Sequence, residues 1–241
     1  MMVDASRRGR GRPPKVKRPG GSSRQEFIDA AAEVFAERGY DAAPVDEVIR
    51  RAGLSKGTFY FNFASKADLF LAVVEDRIDR PARELMELTA NAPPDAPTSE
   101  RVSAGLADIL RDESTVLLLL QEYASRAARD EALATRYRAR QASLRGALAH
   151  ALEERHRHTG VPLLYPAERL AEGFIGLAQG LALESIIDPE AIDSALFGDL
   201  IALVYDGLVA RAASEPSQRS SAPASRSRSQ TRAKKNDPTT T

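Results

Sequence analysis

The sequence predicts an all-α protein, with an N-terminal three-helix domain followed by a larger helical domain and about nine helices in total. Hydrophobic residues make up 43% of the 241 residues, aromatic residues only 6%, and there is no Trp. Ala, Leu, Arg and Glu dominate, and these residues favour helices. Apolar residues recur three and four positions apart, as they do on one face of a helix. Runs of Val, Ile and Thr bounded by turn residues, which would indicate strands, are few.

Capping and stop residues set the limits of the predicted helices. The first is predicted to begin at Ser23, because Ser23 and Glu26 have the S-x-x-E spacing of a capping box, and to stop at Gly39. The others are predicted from Pro44 to Gly53, from about Ser55 to Phe63, from Ser65 onward, and over about 99–111, 114–127, 131–157, 166–187 and 192–213. Pro-rich stretches at 91–97 and 160–166 interrupt this series.

Charge is distributed unevenly along a chain whose formal net charge is zero. Residues 1–22 carry seven basic residues and one acidic residue, and residues 216–241 carry six and one. Residues 23–70 carry six basic and eight acidic residues, and residues 71–215 carry 15 and 24. An acidic body with basic ends predicts a polyanionic partner that is contacted locally.

Several classes of protein are disfavoured by composition. There is no cysteine, so disulfides, thiolate catalysis and Cys-ligated metal sites are excluded. The basic N-terminus is not followed by the apolar run of a signal peptide, and the longest apolar run, Val116–Leu120, is too short to span a bilayer. We therefore expect a cytoplasmic, nucleoid-associated protein with no membrane partner.

Residues 44–63 have the outline of a helix-turn-helix, two short helices joined by a turn with glycine. In that motif the second helix lies in the major groove of DNA while the first crosses the backbone. Val48, Phe59 and Phe63 are predicted to face the core, which leaves the polar positions of the second helix to the duplex. Lys56 supplies charge, and Gly57 allows the backbone to approach a phosphate closely.

The stretch RQEFIDAAAEVFAERGYDAAPVDEVIRRAGLSKGTFYFNFASKADLF, residues 24–70, strongly resembles the N-terminal domain of TetR/AcrR-family regulators. Its second half carries the pattern A-G-x-S-x-G-T-x-Y-x-x-F-x-x-K-x-x-L at every position. The resemblance implies a ligand-responsive repressor that acts as a homodimer on a double-stranded, palindromic operator. Two positions depart from the usual pattern. Pro44 stands where Thr or Ser often contacts a phosphate, and Phe61 replaces a more polar residue.

The resemblance and the helix-turn-helix outline together predict the organisation and the DNA-contacting residues. Residues 1–22 are expected to be a disordered basic arm, 23–70 the DNA-binding domain, 71–213 a ligand-binding and dimerisation domain, and 214–241 a disordered basic tail. The arm contains Arg10-Gly11-Arg12-Pro13, which resembles an AT-hook and would either enter the minor groove or attract DNA nonspecifically. The residues predicted to contact DNA are Arg10, Arg12, Arg24, Pro44, Val45, Ser55, Lys56, Gly57, Thr58, Tyr60, Phe61, Asn62 and Lys66.

The larger domain is predicted to hold a small apolar or amphipathic effector and a dimer interface. Polar residues among apolar neighbours are candidates for binding the effector, each with the alternative of an ordinary surface or core position. These are Gln121, Glu122, Tyr123, Arg126, Tyr137 and Phe174. A glycine stripe and the apolar last helix predict a four-helix interface, with internal packing as the alternative. Its predicted residues are Gly173, Gly176, Leu177, Gly180, Leu200 and Val204.

Two other functions remain open at this stage. An architectural, nucleoid-associated protein would bind DNA through the arm without an effector, and its low preference for any one sequence would distinguish it. A helical metalloenzyme is suggested by Glu153 and His156, which have the Glu-x-x-His spacing of di-iron bundles. Such a site needs that motif twice, and it occurs once here. We therefore expect neither an enzyme nor a bound cofactor or metal.

Overall fold

The protein is described by a computed structural model that covers residues 22–214, and every regular element in this range is helical. The predicted arm and tail, including Arg10 and Arg12, lie outside the described residues. The helices are α1 (Ser23–Ala42), α2 (Val45–Ala52), α3 (Lys56–Asn62), α4 (Lys66–Val74), α5 (Arg80–Ala90), α6 (Thr98–Ala127), α7 (Glu131–Thr159), α8 (Ala167–Ile187) and α9 (Ser194–Ser214). A π-helical turn (Glu75–Asp79) joins α4 to α5, so within this range the nine α-helical segments form eight continuous rods.

The start of α1 differs by one residue from the predicted capping box. Ser22, not Ser23, is the N-cap, and its hydroxyl accepts a hydrogen bond from the Gln25 amide at 3.3 Å. The N-cap therefore lies one residue earlier than predicted, while the helix itself begins at Ser23 as predicted. Regular helix ends where predicted, because Gly39 has a φ of +74°, a left-handed value that glycine adopts without strain.

One predicted helix end in the middle of the chain is wrong. The break predicted between 111 and 114 is only a kink at Glu113 within α6 (φ −121°, ψ 21°). The segment lacks Gly and Pro, so nothing removes the backbone hydrogen bonds that continue the helix. The rod beginning at Lys66, for which the sequence predicted no end, continues through the π-helical turn to Ala90.

One hydrophobic core joins the N-terminal helices to α6. We call the aromatic residues at its centre, Tyr40, Phe70 and Tyr123, the junction cluster. The ring of Tyr123 on α6 stacks on Phe70 of α4 at 5.1 Å and meets Tyr40 edge-on at 5.3 Å. Tyr123 and Phe70 are both fully buried. The predicted domain boundary at residue 70 falls inside α4, so a helix and a core both cross it.

The last helix packs closely against α6. A Cβ atom at Gly198 would lie 2.2 Å from the Ser103 carbonyl oxygen, so only glycine allows this approach. The Ser103 hydroxyl donates to Asp199 at 2.6 Å, which ties the same two helices together. This packing, together with α5, α7 and α8, encloses the interior of the larger domain.

Helix α8 is apolar around most of its circumference yet largely uncovered in the single chain. Within residues 22–214 it is the one helix with the length and composition to cross a membrane. Its buried residues are Ala167, Ala171, Ala182 and Ser185. Its four leucines are half-buried, and the glycines at 173, 176 and 180 are exposed.

Candidate DNA-binding surface and ligand cavity

Helices α2 and α3 form the predicted helix-turn-helix. Gly53 ends α2 in the left-handed conformation (φ +68°), and the Ser55 hydroxyl caps α3 by accepting from the Thr58 amide at 3.0 Å. Phe59 is fully buried and meets the ring of Phe27 on α1 edge-on at 5.4 Å. One side of α3 is therefore locked onto α1 by aromatic contacts.

The opposite side of α3 is open to solvent. Phe61 is 90% exposed and Tyr60 56% exposed, and Phe61 is the most exposed large hydrophobic residue within 22–214. Lys56 is also exposed, and its ammonium lies 3.2 Å from the equally exposed Asp46. Such a surface ion pair contributes little stability, so Lys56 can exchange it for a phosphate at small cost.

The other predicted DNA-contacting residues divide into exposed and engaged groups. Pro44, Gly57 and Arg24 are exposed, and the Arg24 guanidinium lies 5.3 Å from the centre of the Phe63 ring. A second group is half-buried. Val45 packs against the core, the Thr58 hydroxyl lies 2.8 Å from that of Ser55, and the Asn62 amide donates to the Thr58 carbonyl at 2.8 Å.

Lys66 lies at the junction of the two predicted domains, and its ammonium is already engaged. It donates to the Asp41 carbonyl at 2.8 Å and lies 4.9 Å from the centre of the Tyr40 ring. Burial lowers the pKa of Lys66, despite the nearby Asp41 carboxylate. Contact between Lys66 and a phosphate would require these interactions to rearrange.

Four of the six residues predicted to bind an effector lie at this junction and not at the cavity of the larger domain. Tyr123 belongs to the junction cluster, and Glu122 accepts from the Tyr40 amide at 3.4 Å. Arg126 pairs with Asp41, and Tyr137 accepts from Gln141 at 3.1 Å. The polar atoms of Glu122 and Arg126 join α6 to α1, a role that spacing among apolar residues does not distinguish from ligand binding.

The larger domain contains a cavity of about 210 Å³ between α5, α6, α7, α8 and α9. Gln121 and Phe174, two of the predicted effector-binding residues, line it. Most of the wall is aliphatic, from residues such as Leu85, Leu106 and Leu148. The polar residues that the sequence analysis missed are Thr89, Thr98, Ser99, Arg140, Arg155, Gln179 and Tyr205. They come from five helices, so no local pattern in the sequence brings them together.

A buried ion pair lies against this cavity. The Arg140 guanidinium donates twice to Asp79, at 2.8 Å and 2.5 Å, and the side chains are only 8% and 1% exposed. Burial raises the pKa of Asp79 while Arg140 opposes that shift. Asp79 ends the π-helical turn, so the pair ties the α4–α5 rod to α7.

The end of α7 that carries the Glu-x-x-His sequence packs on neighbouring backbone, and the His156 ring contacts the Val161 carbonyl. Within it, Arg155 is 8% exposed and donates to the carbonyls of Ala92, Pro93 and Pro94 at 2.7, 2.9 and 3.1 Å. His158 contacts the Ala90 carbonyl at 2.9 Å, so both side chains hold the segment that follows α5. Among residues 22–214 no group of three acidic or histidine side chains is arranged to hold a metal ion.

A second uncovered surface lies on α8 and α9. Gly173, Gly176 and Gly180 are all exposed, and a Cβ atom at each would meet nothing within 4 Å. On α9, Leu203 is 64% and Val204 44% exposed. Leu177 and Leu200, also predicted for a dimer interface, are half-buried in the single chain.

The first helices of the chain match the model of a known protein family. Residues 27–73 match the family model described as bacterial regulatory proteins, tetR family. The transcriptional activator FasR of Mycolicibacterium smegmatis is 44% identical over 80 residues, which are 31% of this chain and 36% of that protein. The A-factor receptor protein of Streptomyces griseus is 42% identical over 53 residues, or 22% of this chain and 19% of that one. The chain thus spans much less than two thirds of the length of each of these relatives.

Solved structures resemble the chain over a greater length. A structure described as a TetR-family transcriptional regulator from Rhodococcus sp. has a TM-score of 0.63 at 20% identity, covering 78% of this chain and 98% of that one. Another from Syntrophomonas wolfei has a TM-score of 0.64 at 15% identity, covering 78% and 95%. At this identity the similarity establishes the fold, an N-terminal helix-turn-helix followed by a helical domain.

Proposed function

We propose that the chain, whose residues 27–73 match the family model of the tetR bacterial regulatory proteins, is a DNA-binding transcriptional regulator of that family and a ligand-responsive repressor. In this proposal it acts in the cytoplasm as a homodimer on a palindromic operator. The observation that carries the proposal is the two-sided character of α3. Phe59 and Phe63 lock one side to α1, while Tyr60 and Phe61 on the other side are exposed to solvent.

Base edges would be read by the exposed side of α3. Tyr60 offers a hydroxyl group, and Phe61 offers an apolar ring that can contact the methyl group of thymine. Lys56 and Gly57 would contact phosphates, which fix the register of the protein on the duplex. Ser55 and Thr58, whose hydroxyl groups lie 2.8 Å apart, would reach the same strand, while Asn62 holds α3 together from within.

Much of the electrostatic attraction would come from the arm. Residues 23–70 carry six basic and eight acidic residues, so this domain has no net positive charge to hold DNA. Residues 1–22, with seven basic residues and one acidic residue, precede α1 directly. We expect Arg10 and Arg12 to enter an adjacent minor groove, where negative potential is strongest over A-tracts.

The uncovered faces of α8 and α9 would pair with those of a second copy. Three exposed glycines allow close approach of a partner helix, and Leu203 and Val204 supply apolar area beside them. A two-fold dimer would place its two α3 helices about 34–36 Å apart, one turn of B-DNA, or a multiple of that spacing.

An effector in the cavity would act on α3 through the α4–α5 rod. The rod begins at Lys66 next to the junction cluster and lines the cavity through Ile78, Leu85 and Met86. An effector releases the repressor only if it binds more tightly to the dimer whose α3 helices are misplaced for successive major grooves.

The experiment that tests this proposal combines sedimentation with DNA binding by the full chain. Gly176→Arg is expected to give a folded monomer that binds operator DNA much more weakly, because the partner surface is blocked. Gly146→Arg is the matched control, since Gly146 is also exposed with open space around it but lies on α7. Deleting residues 1–20 should leave the dimer intact and reduce the salt dependence of binding. A Gly176→Arg protein that stays dimeric contradicts the proposed interface, and an unchanged salt dependence contradicts the role of the arm.

A further inference from the structure

The charged groups that line the cavity are already satisfied by the protein. Arg140 is paired in two hydrogen bonds with the Asp79 carboxylate. Arg155 uses three N–H groups on carbonyls that follow the C-terminal end of α5, where the helix dipole favours a cation. Neither guanidinium is therefore available to pair with an anion without breaking a buried contact.

Three hydroxyl groups of the cavity wall, those of Thr89, Ser99 and Tyr205, are also engaged. Thr89 donates to the Leu85 carbonyl at 2.8 Å, and Ser99 donates to Asp206 at 2.6 Å. The Tyr205 hydroxyl accepts a hydrogen bond from Arg155, which lowers the pKa of Tyr205. Burial has the larger effect and raises that pKa overall. These groups contribute structure to the wall and offer little to a ligand.

Two side-chain amides differ from these groups. Gln121 on α6 and Gln179 on α8 both line the cavity and are half-buried, and neither amide is hydrogen-bonded to another described residue. A carboxamide both donates and accepts hydrogen bonds and carries no charge. The polar groups free to orient a ligand are therefore neutral.

We propose that the cavity binds a neutral, mainly apolar molecule with one or two uncharged hydrogen-bonding groups, held by Gln121 and Gln179, and that it discriminates against carboxylates. A carboxylate would lose its hydration in an apolar cavity without gaining a free cation. The volume of about 210 Å³ exceeds the roughly 150 Å³ of an engineered cavity that takes up benzene, so a medium-sized molecule fits. The chemical class of the ligand follows from the cavity alone. Only the statement that this ligand is an effector rests on the proposed function.

The test uses matched molecules that differ in charge and not in shape. Binding of hexanamide, octanamide and decanamide to the purified full chain is measured by calorimetry at neutral pH, each beside the carboxylate of the same length. We expect the best amide to bind at least about tenfold more tightly than its carboxylate, a difference of roughly 1.4 kcal/mol. Gln121→Leu and Gln179→Leu should each weaken amide binding by about fivefold, the effect of losing one hydrogen bond. Leu144→Trp, which fills the cavity, should abolish it.

Each of the other outcomes contradicts a different part of the proposal. A carboxylate that binds as tightly as its amide, or the failure of every amide to bind, overturns the inference. Amide binding that is insensitive to both glutamine substitutions in proteins with an unchanged circular dichroism spectrum overturns the assignment of these residues. An amide that binds as expected but does not release DNA contradicts the proposed effector response and leaves the ligand class intact.

Discussion

Replacing Arg140 with Met should destabilise the protein strongly, because it leaves the Asp79 carboxylate buried without its counter-ion. The carboxylate is 1% exposed and receives two hydrogen bonds from Arg140. Breaking a buried pair by removing one partner typically costs about 3–5 kcal/mol. The cavity beside Arg140 can admit water to the orphaned carboxylate, so we expect a value near the lower end of that range.

The double variant Asp79→Leu/Arg140→Met separates the cost of the unpaired Asp79 charge from the other effects of replacing Arg140. Replacing both partners by apolar residues removes the uncompensated charge, so its stability should return to within about 1–2 kcal/mol of the wild type. Arg138→Met on the same helix is the control, because Arg138 pairs with Glu131 at the surface and should contribute less than about 1 kcal/mol. Urea unfolding at neutral pH measures all four free energies.

The pH dependence of Arg140→Met gives a second readout. Burial raises the folded-state pKa of Asp79 above its ordinary 3.8 even with Arg140 present. Without Arg140 the pKa should rise further, so the folded protein binds a proton that the unfolded chain releases. An acid with a raised pKa costs stability as pH rises from its unfolded to its folded value, so the deficit should shrink in mildly acidic buffer. An Arg140→Met protein within about 1 kcal/mol of the wild type, or a double variant no more stable than Arg140→Met, would refute this reasoning.

Three further substitutions test the junction and the DNA-binding surface. Tyr123→Phe should raise the free energy of unfolding by about 1 kcal/mol, because the Tyr123 hydroxyl is buried without a hydrogen-bond partner; a loss of stability in urea would show that the hydroxyl is satisfied. Lys56→Ala should weaken binding to all DNA sequences and reduce the salt slope by roughly 1, whereas a change of base preference at one position would rule out a phosphate contact. Phe61→Ala should abolish a roughly fourfold preference for thymine over uracil at one operator position, since burying a methyl group contributes about 0.8 kcal/mol. If the wild type itself does not distinguish thymine from uracil at any position, Phe61 does not contact a methyl group.

The sequence was sufficient for the fold class and the helix-turn-helix because these depend on local signals. The turn at Gly53 and the caps at Ser55 and Ser65 act within a few residues of themselves, and the structure has each of them where the spacing predicted. The same locality explains the small error at Ser22, since two adjacent serines offer nearly equivalent caps.

The cavity was much less predictable. Its polar residues come from helices far apart in the sequence, and the bond between Asp79 and Arg140 spans 61 positions. Tyr123 and Gln121 are two residues apart on one helix, yet one faces the junction cluster and the other the cavity. Which face of α6 meets which neighbour is decided by tertiary packing, and apolar periodicity alone does not contain that information.

The most direct test of sequence-specific DNA binding is selection of duplexes from a random pool by the full-length protein, followed by measurement of affinity for the selected and the unselected DNA. We predict enrichment of a two-fold symmetric site with half-sites one helical turn, or a multiple of it, apart. The selected site should bind at least about 10³-fold more tightly than random DNA, and a Tyr60→Ala/Phe61→Ala protein should lose most of that ratio. Enrichment of no symmetric site, or a ratio that the double substitution leaves unchanged, would contradict the assignment of α3 as the element that reads the operator.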